Sequence, residues 1–346
     1  MNKKYLEMFN ELNEEHKNQI DRERNSRVLI VDGLNTFIRC WSSIPTMNDD
    51  GEHVAGVTCP LRSIGYAIKQ VKPTRVIVVF DGKGGSKSRK KIFSNYKAGR
   101  EKNKLRVNRQ YEDMMNDEDE RESMKRQYVW LFELLHNLPV TTMMYDGIEA
   151  DDVMAYITTD ILKENEQAVL MSTDKDFLQL INHKTLVWSP TKKKLYNEEI
   201  LKEEWGIPAK NLLLFRMADG DNSDKIPGVK GIGLKTIIKR VPEITEDTEL
   251  SLEDFLDIVR NKEGNYKIYK TILESEEQLK MNHRLMRLDE VEIPADTKLK
   301  VMDRFDEPTE PFNRMNFFQA CLKYKVLNNF GDVDGWLRTT FGTLIT

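Results

Sequence analysis

The sequence predicts an α/β protein with a mostly parallel central sheet and helices on both faces. Two observations carry this. Arg27–Val31, Arg75–Phe80 and Ala168–Met171 are short, nearly unbroken apolar runs, as strands buried on both faces require. Between them lie segments with helical periodicity. A third observation concerns what ends these runs: Asp32, Asp81, and Asp174 with Asp176. In a parallel sheet the carboxyl ends of the strands border the ligand crevice. Glu149, Asp151 and Asp152 form a fourth acidic cluster, and Asp221 with Asp224 a fifth. Carboxylates converging on one crevice repel one another, and hard divalent cations with oxygen ligands are the natural counter-charge.

The elements follow in order. Residues 1–26 read as an added helix with a thin apolar stripe of Tyr5, Met8, Phe9, Leu12 and Ile20. After the first strand, a helix is expected over Asn35–Trp41, a loop over 47–56, and a helix over Leu61–Gln70 before the second strand. Residues 82–122 are too polar for a core layer and read as an inserted, partly disordered arch. Ser123–Leu138 is amphipathic through Tyr128, Leu131, Phe132, Leu134 and Leu135. A strand over Val140–Met144, a helix from Glu149 to Leu162, the third apolar run and a hairpin through Trp188 and Tyr196 complete a unit over 27–196. Residues 197–346 read as mostly helical.

Bulk properties narrow the classes. The chain has 346 residues, 32% charged and 39% hydrophobic, with no run approaching a membrane span. Met1–Asn25 lacks the apolar stretch of a secretory signal. Three scattered cysteines, Cys40, Cys59 and Cys321, argue for a reducing, cytoplasmic setting and against a zinc site or a disulfide framework. The net charge of −4 hides strong local patterning. Eleven Lys or Arg lie at 83, 87, 89, 90, 91, 97, 100, 102, 104, 106 and 109, against the single acid Glu101. Such a run is the electrostatic footprint of a phosphate backbone. Glu112–Glu122 then holds seven acids and one Arg, either a solvated helix face or a screen that steers a strand to the basic side.

Each acidic motif has a plain structural reading. Glu149 and Asp152 suit a helix N-terminus, Asp174 an N-cap, and Asp32-Gly33 and Asp81-Gly82 tight turns. Their joint occurrence at successive strand ends points to a shared centre. In Gly228-Val-Lys-Gly231-Ile232-Gly233-Leu-Lys235-Thr236, the glycines open a turn before a helix and present backbone N–H groups to a phosphate. Such a grip holds a duplex without reading bases.

In order along residues 26–340, Val-Asp32-Gly, Val-Phe-Asp81-Gly, Tyr96-Lys-Ala-Gly-Arg100, Glu149-Ala-Asp-Asp152, Ser172-Thr-Asp-Lys-Asp176 and Gly220–Thr236 resemble the flap endonuclease / 5′-3′ exonuclease family. That family includes the 5′-nuclease domain of bacterial DNA polymerase I and stand-alone phage enzymes, some of RNase H type. The resemblance implies a PIN-like (resolvase-like) core, a helical arch at 82–122 and a helix–hairpin–helix-like module at 218–240. It implies metal ligation by Asp32, Asp81, Glu149 and Asp151, and by Asp152, Asp174, Asp176, Asp221 and Asp224. The expected ions are two Mg²⁺, with Mn²⁺ as a substitute, and K⁺ at Gly231–Gly233. Lys97 and Arg100 match a basic pair at the scissile phosphate, and Tyr96 an aromatic for the terminal base. Lys83, Lys87, Arg89 and Lys90, with Gly231, Ile232, Gly233, Lys235 and Thr236, are the remaining candidate DNA contacts. Ser223-Asp224-Lys225 departs from the Ser-Asp-Asn of many relatives, and the first 25 residues have no counterpart.

The activity so implied is two-metal hydrolysis of branched or nicked duplex DNA, or RNA–DNA, at a 5′ end or flap, by a monomer acting in replication or repair. Asp32, Asp81, Asp151 and Asp174 would be the catalytic carboxylates, and no histidine stands in a suggestive context. Three rivals are a non-catalytic DNA-binding protein, a single-strand ribonuclease and a metal phosphatase. The intact carboxylate set opposes the first; the arch and duplex grip oppose the others. Exonuclease, flap endonuclease and RNase H-like primer removal are alternative outputs of one site. A single-strand-binding protein is a conceivable partner. Trp336, Leu337, Phe341 and Leu344 form either a sliding-clamp docking peptide or a closing core helix.

Overall fold

The computed structural model describes residues 24–99, 117–264 and 266–344. The expected N-terminal helix, Arg100 and the stretch 101–116 lie outside them.

Six strands form one sheet in the order β3-β2-β1-β4-β5-β6. They are β1 (Arg27–Asp32), β2 (Arg75–Asp81), β3 (Thr141–Tyr145), β4 (Gln167–Met171), β5 (Thr185–Ser189) and β6 (Lys194–Tyr196). All neighbours are parallel except β5 and β6, which form an antiparallel hairpin. Val28, Leu29, Ile30 and Val31 of β1 are fully buried, because both faces of the sheet are covered.

The covering layers sort by residue parity. Leu29, Val31, Val76, Val78 and Phe80 face α1 (Gly33–Ser43), α2 (Ala55–Val71), α4 (Asp117–His136), α13 (Arg314–Lys323) and α14 (Val333–Phe341). Val28, Ile30, Ile77 and Val79 face α5 (Ala150–Tyr156). The same cluster takes in the helical remainder: α6 (Glu198–Trp205), α7 (Ala209–Asp219), α8 (Leu234–Arg240), α9 (Leu252–Asn261), α10 (Lys267–Glu274), α11 (Glu276–Met286) and α12 (Ala295–Asp306). The short helix α3 (Lys87–Ile92) stands between β2 and α4 in sequence.

Register places the acids. Asp32 pairs with Val79, Asp81 with Tyr145, and Val31 with Met171, so the three strands end within a few residues of one another. Strand order turns between β1 and β4, the switch point at which parallel sheets bind ligands.

Three boundaries differ from the sequence reading. Helix α2 starts at Ala55, with Pro60 inside it; Val54, Ala55 and Val57 are buried, and that packing outweighs the penalty for proline. Helix α4 already includes Asp117, the first described residue after position 99, so the end of the acidic run is helical. The helix after Glu149 leaves α geometry at Ile157 and finishes as a π turn, Ile157–Ile161.

The C-terminal segment is a closing helix. Leu337 and Phe341 are buried in the sheet-facing core, and Trp336 stacks at 4.8 Å on Phe330. The docking-peptide expectation therefore fails on packing, since its apolar side chains face inward. Deleting residues 336–346 is expected to unfold the protein. Truncating two buried side chains of this size costs about 5–10 kcal/mol, comparable with a domain's whole stability. Loss of the cooperative melt by circular dichroism is the readout; an unchanged melt would restore the docking role. No helix among the described residues is long and apolar enough to cross a membrane.

Candidate metal centre and nucleic-acid interface

A cleft of about 590 Å³ opens at the carboxyl ends of β1, β2 and β4. Asp32, Asp81, Asp151, Asp174 and Asp224 line it, with Lys97 and Arg39 at its wall. Each acid is held by local structure. Asp32 caps α1, its Oδ1 accepting from the Asn35 N–H at 3.0 Å and its Oδ2 from the Ser172 hydroxyl at 3.0 Å. Asp81 reaches across to accept the Ala150 N–H at 2.7 Å, so the β2 aspartate, not Glu149, caps α5. Asp174 accepts the Asp176 N–H at 2.8 Å. Asp32 and Asp174 thus order local turns as read from sequence, whereas the Glu149 side chain does not cap α5.

Three of these acids, Asp32, Asp151 and Asp174, hold their protons more tightly than usual. Burial, then the charge of Asp81, pushes Asp32 up to about 7, against the donor from Asn35. Asp151 is driven well above its ordinary range by burial and by Asp32, with Lys97 opposing. Asp174 is raised by burial and by Asp224. Among the described residues no three acids converge as a ready-made metal shell. They line the walls of the cleft, as like charges do. Buried, hard, anionic oxygen donors fit divalent cations.

The remaining acids already have partners. Arg89 binds Asp152 in a fork, Nη2 to Oδ1 at 2.6 Å and Nη1 to Oδ2 at 3.0 Å, and also pairs with Glu149. Lys97 pairs with Glu149 as well. Burial works to raise Glu149, but Lys97 and Arg89 outweigh it and hold it below the usual range. For Asp152 burial prevails over Arg89, and its carboxyl is raised. Asp176 and Asp221 both bind Arg216, at 2.8 and 3.0 Å.

The basic segment divides by face. Lys83, Lys87 and Lys90 are exposed. Arg89 was expected among the DNA contacts but is 8% exposed, its Nε donating to the Leu285 carbonyl at 3.0 Å. Tyr96, expected to stack on a terminal base, is 3% exposed and packs with Leu213, Ile226, Leu285 and Met286. Both expectations are corrected on burial: one Arg of a cationic run neutralises the acids beneath it, and the ring closes a small core. The Lys97 N–H donates to the Asp224 carbonyl at 2.9 Å, tying the basic segment to the acidic loop. At the glycine turn, Gly231 has φ +83°, and Gly233 has open space where a Cβ would be. Ile232 is the buried anchor, while Lys230, Lys235 and Lys239 are exposed around it.

Sequence reasoning missed Arg216 and Ser172. Arg216 had a signal: it is the one charged residue in Leu212-Leu-Leu-Phe-Arg-Met-Ala218, three and five residues before Asp219 and Asp221. A charge inside a buried helical run must be paired.

Comparison with known proteins agrees with this geometry. Residues 27–206 match the family model of the 5′-3′ exonuclease, N-terminal resolvase-like domain. The chain is 26% identical over 280 residues to a 5′-3′ exonuclease of Buchnera aphidicola, covering 80% of this chain and 91% of that one. It is 27% identical to flap endonuclease Xni of Shewanella oneidensis, covering 82% and 97%. It is 32% identical over 222 residues to thermostable DNA polymerase I of Thermus thermophilus, covering 64% of this chain but only 24% of that enzyme. In fold it is similar to the bacteriophage T5 flap endonuclease, solved with DNA and metal ions, at a TM-score of 0.60 and 22% identity over 86% of this chain and 99% of that one. A resolvase-like sheet with an acid-lined crevice defines a class of nuclease. The chain belongs to the 5′-3′ exonuclease family and is a 5′-nuclease.

Proposed function

We propose that this chain is a structure-specific 5′-nuclease cutting branched or nicked duplex DNA, or RNA–DNA, at a 5′ end or flap. Two Mg²⁺ ions serve the reaction, with Mn²⁺ able to replace them. The observation that carries the reading is the cleft in which Asp32, Asp81, Asp151 and Asp174 meet Lys97. Those four carboxylates, with Asp224, would hold the ions. When bound, divalent cations supply Lewis acidity and a nucleophile at neutral pH.

The chain's own residues do the rest. Lys97, at the cleft wall, offsets charge gathering on the scissile phosphate. Arg100 is its proposed companion. Exposed Lys83, Lys87 and Lys90 draw a single strand along the outer face of α3. Backbone N–H groups at Gly231–Gly233, with Lys235 and Thr236, hold the duplex backbone, and K⁺ belongs at that turn. The flap and the DNA in this reading come from the relatives, one a flap endonuclease and one solved with DNA.

The test is a 5′-labelled flap on a nicked duplex. Cutting at the junction in Mg²⁺, none in EDTA and none with Asp174→Asn is expected. Lys97→Ala should cut about 10²-fold more slowly, the worth of one electrostatic contact to a transition state, while binding the duplex normally. Duplex binding without cutting in Mg²⁺ or Mn²⁺ would overturn the proposal.

A further inference from the structure

Arg216 is a buried cation that bridges acids of two separate elements beside the cleft. It sits in the last turn of α7 with its side chain 4% exposed. Its Nε donates to Asp176 Oδ1 at 2.8 Å. Its Nη2 donates to Asp221 Oδ2 at 3.0 Å. Its Nη1 lies 3.5 Å from Asp219 Oδ2 and 3.4 Å from the Gly220 carbonyl. One planar group thus joins the turn after β4 to the loop after α7.

The hydrogen bonding of Asp221 shows what the arrangement does. Its Oδ1 accepts the Ser223 N–H at 2.7 Å, the Ser223 hydroxyl at 2.7 Å and the Asp224 N–H at 3.2 Å. Its Oδ2 takes Arg216. Both oxygens are therefore engaged in ordering the loop that brings Asp224 into the cleft. Asp176 has one oxygen fixed by Arg216 and stands two residues after Asp174, whose Oδ1 its own N–H meets. A guanidinium spans two carboxylates from separate elements, whereas an ammonium is a single point charge.

We propose that Arg216 is a positioning residue that fixes Asp176 and Asp221, and through them Asp174 and Asp224, as the half of the cleft where the second divalent cation binds. This rests on the two-metal reading above. Glu149 and Asp152 have an equivalent internal cation in Arg89.

The experiment is Mn²⁺ binding to the DNA-free protein, followed by the paramagnetic resonance of free Mn²⁺. The wild type should bind two ions. Arg216→Lys keeps the charge but loses the fork, and should bind one ion normally and the second about tenfold more weakly, the usual cost of losing an outer partner of a metal ligand. Two ions bound with wild-type affinities would overturn the positioning role. A wild type that binds no Mn²⁺ would instead sink the two-metal reading, so the failures are distinguishable. Asp176→Asn with Arg216→Lys covers a single variant that does not fold, because it removes the charge that Arg216 compensates. That double variant also weakens the Asp221 link, so it should bind the second Mn²⁺ more weakly than Asp176→Asn alone; equal binding would show that Arg216 does not act through Asp221.

Discussion

Asp151→Asn is expected to lower flap cleavage by roughly 10³-fold, the several kcal/mol of charge stabilisation that metal catalysis provides, while the metal-free protein melts no lower than wild type. Asp151 is buried beside Asp32, Asp174 and Asp81, and its carboxyl is raised far above its ordinary range by burial first and then by Asp32. The sign follows from linkage. A carboxyl that binds its proton more tightly when folded contributes stability at low pH and loses it as pH rises. The cost of ionising Asp151 in the folded protein therefore grows as pH rises, and a neutral amide of the same shape removes that cost. Added Mg²⁺ should raise the melting temperature of the wild type by mass action and that of the variant much less. Thermal melts with and without Mg²⁺, beside the flap assay, check all three statements. A variant that cuts normally would remove Asp151 from the centre.

Gly82→Ala should show the opposite signature, losing fold and activity together. A Cβ at Gly82 would lie 1.7 Å from the Tyr145 carbonyl oxygen and 2.3 Å from its carbon. Both are backbone atoms, so no rotamer change relieves the clash. The Gly82 N–H also donates to the Ile148 carbonyl at 3.0 Å, holding the end of β2 against the turn that leads into α5. Forcing them apart would pull Asp81 away from the Ala150 N–H that it caps. We expect a loss of about 4 kcal/mol or more, the range of severe overpacking, read from the urea midpoint. An unchanged midpoint would mean that the strand ends can separate freely.

The two residues also mark what the sequence could and could not disclose. Asp81 and Asp151 were legible because a parallel strand delivers its last residue to one edge, and the first turn of the following helix lies above it. Gly82 read as a turn former, and its approach to Tyr145 depends on β2–β3 register, which no local pattern contains. The family resemblance implies nine acids as metal ligands in two groups, and the sequence does not give their partners. The structure separates Glu149, Asp152, Asp176 and Asp221, which face internal guanidinium groups, from the acids lining the cleft. Arg89 and Tyr96 were misplaced for a related reason. A six-residue helix in a cationic run presents Lys87 and Lys90 outward and Arg89 inward, and composition does not say which. Burial of a charge follows from what waits beneath it.

The glycine turn and the acid-lined cleft rest on one hydrophobic body. Ile232 beside the turn shares a cluster with Val28 and Ile30 of the central strand. Asn282 of α11 donates to the Met217 and Pro227 carbonyls at 2.8 and 2.7 Å, bracing the loop that joins turn and cleft. The span between the glycine turn and the acid-lined cleft is thus set by close-packed interior, which neither stretches nor slides. On the proposed roles of turn and cleft, that span is a fixed ruler, and the position of the cut along a strand would be measured by the core.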